Sequence, residues 1–210
     1  MPGTPQIARF AGTFALSLGL APLALASVTT IGEFTGDASE NFENIAAPGG
    51  IPGPVEIFGG AGTVNDPLAN TLVIATTVSS SDTDHETFFP HGGFLMGLVP
   101  TGVVIFEFDQ AVSQFGGFFG SAAFQSGGTA VFRDEAGQVI DTLDFSTTAM
   151  EWGWHGWQSE TGISSIEITA SALSSAPFVF DDLQMTLIPA PGAVAVFALG
   201  GLFTQRRRRH

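Results

Sequence analysis

Two adjacent carboxylates near the end of the chain, Asp181 and Asp182, are the first candidates for functional residues. They interrupt an apolar segment in which strand alternation puts Asp181 on the same face as Leu183, Met185 and Leu187. If that face is the core, Asp181 is a partly buried carboxylate, which must be paired or must coordinate a metal ion. The open alternatives are backbone N–H groups, a polar side chain, or a cation such as calcium, which binds carboxylate oxygens.

Aromatic side chains form a second candidate group, concentrated in residues 151–157. This stretch holds Trp152, Trp154 and Trp157, and exposed flat rings at the rim of a loop can stack on sugar rings. The rings also alternate with small or polar residues as in a strand, so packing between sheets is the competing interpretation. Trp152 and Trp157 are our candidates for exposed, carbohydrate-stacking rings.

The sequence gives little support for catalysis. It contains no Gly-x-Ser-x-Gly turn, no phosphate-binding glycine loop and no His-Glu-x-x-His. The absence of cysteine excludes cysteine nucleophiles, redox pairs and zinc fingers. A glycosidase pair of carboxylates is defined by a distance in space, so a hydrolase stays open as the least favoured alternative. We predict that the protein is not an enzyme.

The distribution of charge restricts the partners. The formal net charge is −14, and all acidic residues lie between Glu33 and Asp182, where Arg133 is the only basic residue other than histidine. Nucleic acids and anionic membrane surfaces bind clustered Lys and Arg, so neither is a predicted partner. A high negative charge also keeps an exported protein soluble.

The N-terminus has the pattern of a secretory signal. Arg9 precedes an apolar run, and Ala24 and Ala26 form an Ala-x-Ala cleavage site before Ser27. We predict a helical signal peptide over residues 1–26, removed by signal peptidase, and an exported mature chain.

The C-terminus, residues 188–210, has three parts: a proline motif, an apolar run and an arginine cluster. The apolar run is about a dozen residues long, whereas a helix that spans the bilayer needs about twenty. The arginines favour the cytoplasmic side. We therefore predict a short hydrophobic helix that anchors the chain transiently, with a permanent short anchor as the alternative. The residues concerned are Pro189, Ala190, Pro191, Gly192, Arg206, Arg207, Arg208 and Arg209.

This arrangement resembles the sorting signal of bacterial PEP-CTERM proteins, with Ala190 in the middle place of the usual Pro-Glu-Pro. The resemblance implies processing by an exosortase-like enzyme. It also implies a destination at the cell surface or in the extracellular matrix, with membrane anchoring before the tail is processed.

Between the two ends, residues 27–187 have the pattern of one all-β domain. Short β-branched and aromatic runs alternate with turn residues, which predicts an antiparallel β-sandwich of the jelly-roll type. The predicted strands are Val55–Phe58, Thr71–Val78, Val103–Phe108, Phe115–Phe119, Thr129–Arg133, Gln138–Leu143, Glu151–Trp157, Ser165–Ser171 and Phe178–Leu187. Ala46–Gly62 and Ser79–Gly93 are predicted to be loops.

The stretches 115–120, 128–134 and 180–183 resemble strands of the jelly-roll domains common in PEP-CTERM proteins. In related carbohydrate-binding jelly rolls a structural calcium lies between the first and last strands. That resemblance implies that Glu43 is the N-terminal calcium ligand, together with Asp181 and Asp182.

Our leading hypothesis is an exported, surface-sorted protein with a structural or adhesive role in the extracellular matrix. The first alternative is a carbohydrate-binding module that uses the aromatic residues from Trp152 to Trp157, with extracellular polysaccharide as the partner. The exposure of these tryptophans distinguishes the two.

Overall fold

The computed structural model describes residues 27–45, 48–79, 87–99, 101–121, 126–170 and 178–188, in which all regular elements are β-strands. The predicted signal peptide, with Ala24 and Ala26, and the predicted sorting signal from Pro189 onward lie outside these residues. No helix long and apolar enough to cross a membrane occurs in the described part of the chain. The strands are β1 (Val28–Ile31), β2 (Ala38–Glu40), β3 (Gly49–Pro52), β4 (Val55–Ile57), β5 (Gly62–Asn65), β6 (Thr71–Ala75), β7 (Val78–Ser79), β8 (Thr87–Phe88), β9 (Met96–Val99), β10 (Val103–Ser121), β11 (Ser126–Arg133), β12 (Val139–Thr147), β13 (Gly153–Ala170) and β14 (Phe178–Leu187).

Among the described residues these strands form one 12-stranded sheet and the separate β7–β8 pair. The order along the large sheet is β12-β11-β13-β10-β14-β9-β6-β3, with β1 on β13, β2 on β14, β5 on β10 and β4 on β5. Every pair of named strands is antiparallel. The predicted all-β antiparallel fold is therefore confirmed.

The sheet folds over itself because β10 bends. The rings of Phe106 and Phe115 are 5.0 Å apart. Nine residues of straight strand would separate them by about 30 Å. The bend coincides with the register shifts between Glu107 and Gln114. Two strands predicted separately, Val103–Phe108 and Phe115–Phe119, are thus the two arms of one strand, and together they make the sheet sandwich-like.

Aromatic rings fill the space between the layers. Phe106, Phe115, Phe119 and Phe180 are fully buried and belong to one large apolar cluster. Phe106 also contacts Phe180 edge-on, with ring centroids 5.3 Å apart. The core therefore joins both arms of β10 to β14, and it fixes the strand that carries the paired aspartates.

A bulge interrupts β14 at Asp182. Phe118 of β10 pairs with Asp181, but Gly116 pairs with Gln184, so one residue of β10 lies opposite two of β14. Asp182 takes the left-handed conformation, with φ 46°. Aspartate tolerates this conformation better than most side chains, which explains why the bulge occurs at this residue.

After the bulge, each side chain of β14 lies on the sheet face opposite to the one that regular alternation would give it. Leu183 and Met185 point into the large core with Phe180, whereas Asp181 lies on the opposite face. The prediction that Asp181 shares a face with Leu183, Met185 and Leu187 is wrong, because alternation is broken at the bulge. Asp181 is nevertheless fully buried, since a surface loop covers it.

Candidate functional site

The loop that covers Asp181 spans residues 89–95, Phe-Pro-His-Gly-Gly-Phe-Leu, and we call it the aromatic loop. Three carboxylates, Glu43, Asp181 and Asp182, lie around it, and we call them the carboxylate cluster. Glu43 follows β2, which pairs with the part of β14 directly after the two aspartates, so strand pairing brings the three together. The sequence-based prediction that they meet at one place is consistent with this geometry.

Glu43 holds the C-terminal half of the aromatic loop. Its Oε1 accepts hydrogen bonds from the backbone N–H groups of Phe94 and Leu95, the second at 2.8 Å. A Cβ at Gly93 would collide with the same oxygen, so a larger residue there would displace the Glu43 carboxylate. The preceding residue, Phe42, is buried in the core with φ 61°, which fixes the turn that presents Glu43.

Asp181 holds the middle of the loop from beneath. Its Oδ2 accepts the N–H of His91 at 2.9 Å, and its Oδ1 accepts the N–H of Asp182 at 2.8 Å. Burial raises the pKa of Asp181 from its ordinary value of 3.8 to about 8, and repulsion from Asp182 and Glu43 acts in the same direction. Burial therefore favours the protonated form of the Asp181 carboxyl, and both of its oxygens cap backbone N–H groups.

Asp182 and Phe118 fix the His91 side chain on two sides. His91 Nδ1 lies 2.7 Å from Asp182 Oδ2, and each side chain is about one third exposed, at 34% and 32%. The imidazole ring also stacks on Phe118, with centroids 3.6 Å apart and planes at 17°. Gly92, with φ +74°, makes the turn beside this pair.

Trp152 holds the start of the loop. Its Nε1 donates a hydrogen bond to the carbonyl oxygen of Phe89 at 2.9 Å. Its ring lies 4.7 Å from the buried ring of Phe88 and 6.1 Å from His91. The aromatic loop is therefore attached at its beginning, middle and end by side chains from three different parts of the chain.

Two phenylalanine rings of this firmly held loop point into solvent. Phe89 is 63% exposed and Phe94 is 80% exposed. Among the described residues, the other large exposed apolar side chains are Leu68 and Val139, which are aliphatic. Exposed aromatic rings on a fixed backbone are a feature of binding surfaces rather than of core packing.

The other tryptophans of the predicted aromatic group are packing residues. Trp157 is only 2% exposed, and its ring lies parallel to Phe115 in the core, so the prediction that it stacks on sugar is wrong. Trp154 lies over Gly116 and Gly156, where an added Cβ would be 2.8 Å and 2.9 Å from its indole. Alternation along β13 sends these rings to opposite faces. Trp152 remains a stacking candidate.

Calcium at the carboxylate cluster stays a prediction. In this structure Glu43 Oε1 and both Asp181 oxygens accept backbone N–H groups, and Asp182 pairs with His91. Within the described ranges no group of three or more His, Asp or Glu side chains has the geometry of a metal site. The contacts match the alternative in which Asp181 caps backbone groups.

The sequence matches no protein-family profile and no curated protein. Among solved structures, the chain is similar to TmCBM61 in complex with beta-1,4-galactotriose, at 17% identity over 60% of this chain and 88% of that one, with a TM-score of 0.38. It is also similar to the CBM22-1 xylan-binding domain of Paenibacillus barcinonensis Xyn10C, at 15% identity over 76% and 99%, with a TM-score of 0.38. The CBM22-1-CBM22-2 tandem domain of the same protein gives 16% identity over 75% and 49%, with a TM-score of 0.40. Similarities this low assign neither a family nor a ligand.

Proposed function

We propose that the protein is an exported, non-catalytic protein that binds polysaccharide through the aromatic loop and Trp152. One observation carries the proposal: Phe89 and Phe94 are exposed by 63% and 80% on a loop that three carboxylates and a tryptophan hold in place. We also propose that the sandwich-like sheet described above has the topology of a jelly roll.

The physical basis is a preformed apolar surface with polar groups at its centre. A sugar ring has an apolar face that can cover a phenylalanine, and burying apolar area stabilises a complex by about 25 cal/mol per Å². Because the loop backbone already has its hydrogen bonds, little ordering entropy is lost on binding. His91 and Asp182, each about one third exposed, are available for hydroxyl groups of the ligand.

The predicted export of the chain supports a function in binding extracellular polysaccharide. The predicted signals at both ends direct the chain to the cell surface or extracellular matrix, where polysaccharide is available. Of our two hypotheses, the proposed function is therefore the first alternative, a carbohydrate-binding module; the structural or adhesive role in the matrix, our leading hypothesis, stays a prediction.

Replacement of the exposed rings should weaken binding without unfolding the protein. We expect Phe89→Ala and Phe94→Ala each to reduce affinity by roughly tenfold, since each ring contributes about 1.5 kcal/mol of apolar burial. Affinity electrophoresis of the purified chain through gels containing different soluble polysaccharides measures this directly.

Leu68→Ala is the matched control, because Leu68 is 70% exposed and does not belong to the aromatic loop. The control should bind like the wild type, and all three variants should melt at the wild-type temperature. Wild-type binding by both phenylalanine variants, or an equal loss in the control, would contradict the proposal.

Processing of the C-terminus is a separate prediction. Replacing Arg206–Arg209 with glutamine should remove the charged stop and prevent normal processing. Intact-mass measurement of the protein recovered from the cell surface tests it. A wild-type mass that still includes Gly192 to His210 would reject the processed tail and favour the permanent short anchor.

A further inference from the structure

We infer that the polysaccharide bound by the aromatic loop carries free amino groups, as a polymer of deacetylated amino sugars does. This inference rests on the proposed function and specifies its ligand class. It is drawn from the carboxylates near the exposed rings, which no Lys or Arg side chain balances in the described part of the chain.

Acidic residues from three parts of the chain lie at the aromatic loop or next to Trp152 in the sequence. Glu43 and Asp182 contact the loop, and the exposed Glu151 directly precedes Trp152. Asp182 is 32% exposed, so a charged group on a bound sugar can reach it. Asp181 is buried beneath the loop and contributes no accessible carboxylate.

Basic side chains do not balance these carboxylates in the described part of the chain. Its only basic residue other than histidine is Arg133, on β11, whose Nη2 lies 3.8 Å from Glu167 Oε2. His91 Nδ1 lies 2.7 Å from Asp182 Oδ2, and 32% of the Asp182 side chain stays exposed beside this contact. At physiological salt, charges act over about 8 Å, so the carboxylates at the loop itself determine the local field.

This negative field should give three classes of polysaccharide different affinities, whereas the exposed rings alone would bind all three equally. A polymer of uronic acids brings like charges to Asp182 and Glu151 and is repelled. A neutral polymer gains only the stacking of its rings. A polymer of amino sugars gains the same stacking together with ammonium–carboxylate pairs at the rim, which combine charge complementarity with the apolar contact.

Oligosaccharides of matched length test the inference with the purified full-length chain. The probes are chitosan oligomers, their N-acetylated chitin counterparts and alginate oligomers, measured by titration calorimetry below the pKa of the sugar amines. We expect chitosan to bind about tenfold more tightly than chitin in low salt, as two exposed ion pairs would give. The preference should shrink in high salt, and alginate should bind most weakly.

Variants assign the preference to particular residues. The double variant Asp182→Asn, Glu151→Gln should lose most of the preference for chitosan, measured as the ratio of its affinities for chitosan and chitin. Glu135→Gln, an exposed carboxylate in the β11–β12 turn, is the control and should keep the preference. Equal binding of chitosan and chitin, tighter binding of alginate, or an equal loss in the control would overturn the inference. The proposed function would survive those outcomes, whereas no binding of any polysaccharide would overturn the proposed function itself.

Discussion

We expect the stability of the wild type to decline as the pH rises from about 4 to about 8, and Asp181→Asn to abolish most of that decline. The folded state holds a proton on Asp181 up to about pH 8, whereas the unfolded chain releases it near 3.8. The folded state therefore binds more protons than the unfolded state in this window, and stability falls as the pH rises. Asparagine has no proton to lose, so chemical denaturation of the variant should show a much flatter profile, with a difference of several kcal/mol across the window.

Asp144→Asn, which changes an exposed carboxylate of β12, is the control and should keep the wild-type profile. Both titrations are run with a chelator.

A separate series without chelator tests the predicted calcium site: added calcium should raise the melting temperature by mass action if Glu43, Asp181 and Asp182 bind it. That shift should vanish in Asp181→Asn and weaken in Glu43→Gln. A wild-type profile that is flat in chelator would contradict a buried, protonated Asp181.

Trp157→Ala is expected to cost the largest amount of stability of any single substitution considered. The side chain is 2% exposed and lies among Phe115, Phe119 and Phe132, with centroids 6.3, 5.8 and 5.5 Å away. Removing a buried tryptophan typically costs about 3–5 kcal/mol. A domain of this size has only about 5–15 kcal/mol in total, so urea unfolding should show a severe loss.

Trp152→Ala provides the comparison, because Trp152 is only partly buried and contacts the aromatic loop. We expect a smaller loss of stability together with weaker polysaccharide binding. If Trp157→Ala were instead well tolerated and reduced polysaccharide binding, Trp157 would be a stacking residue after all.

Local patterns in the sequence predict much of the fold. Period-two alternation in Val104–Phe108 and Ile166–Ile168 indicates half-buried strands, and both segments lie in strands of the structure. The short strands β1, β2 and β3 are not predicted, because runs of three or four residues carry too little alternation. The bulge at Asp182 is not predicted either, since a single left-handed residue leaves no periodic signal.

The candidate site is only partly predictable, since its decisive contacts join distant segments. The Asp181–His91 hydrogen bond spans 90 positions and the Glu43–Leu95 bond spans 52. The sequence alone does not distinguish the exposed Phe89 and Phe94 from the many phenylalanines that are buried in the core. Only tertiary contacts show that their loop is held at the surface with both rings exposed. The adjacent Pro90 and Gly92–Gly93 were the available signal of a fixed turn.

Hydrogen exchange with and without a saturating polysaccharide tests the central claim most directly. If the aromatic loop and Trp152 form the binding surface, peptides covering residues 87–95 and 150–154 should gain protection, and those covering the β11–β12 turn should not. Protection confined to other segments, with none in residues 87–95, would contradict the account.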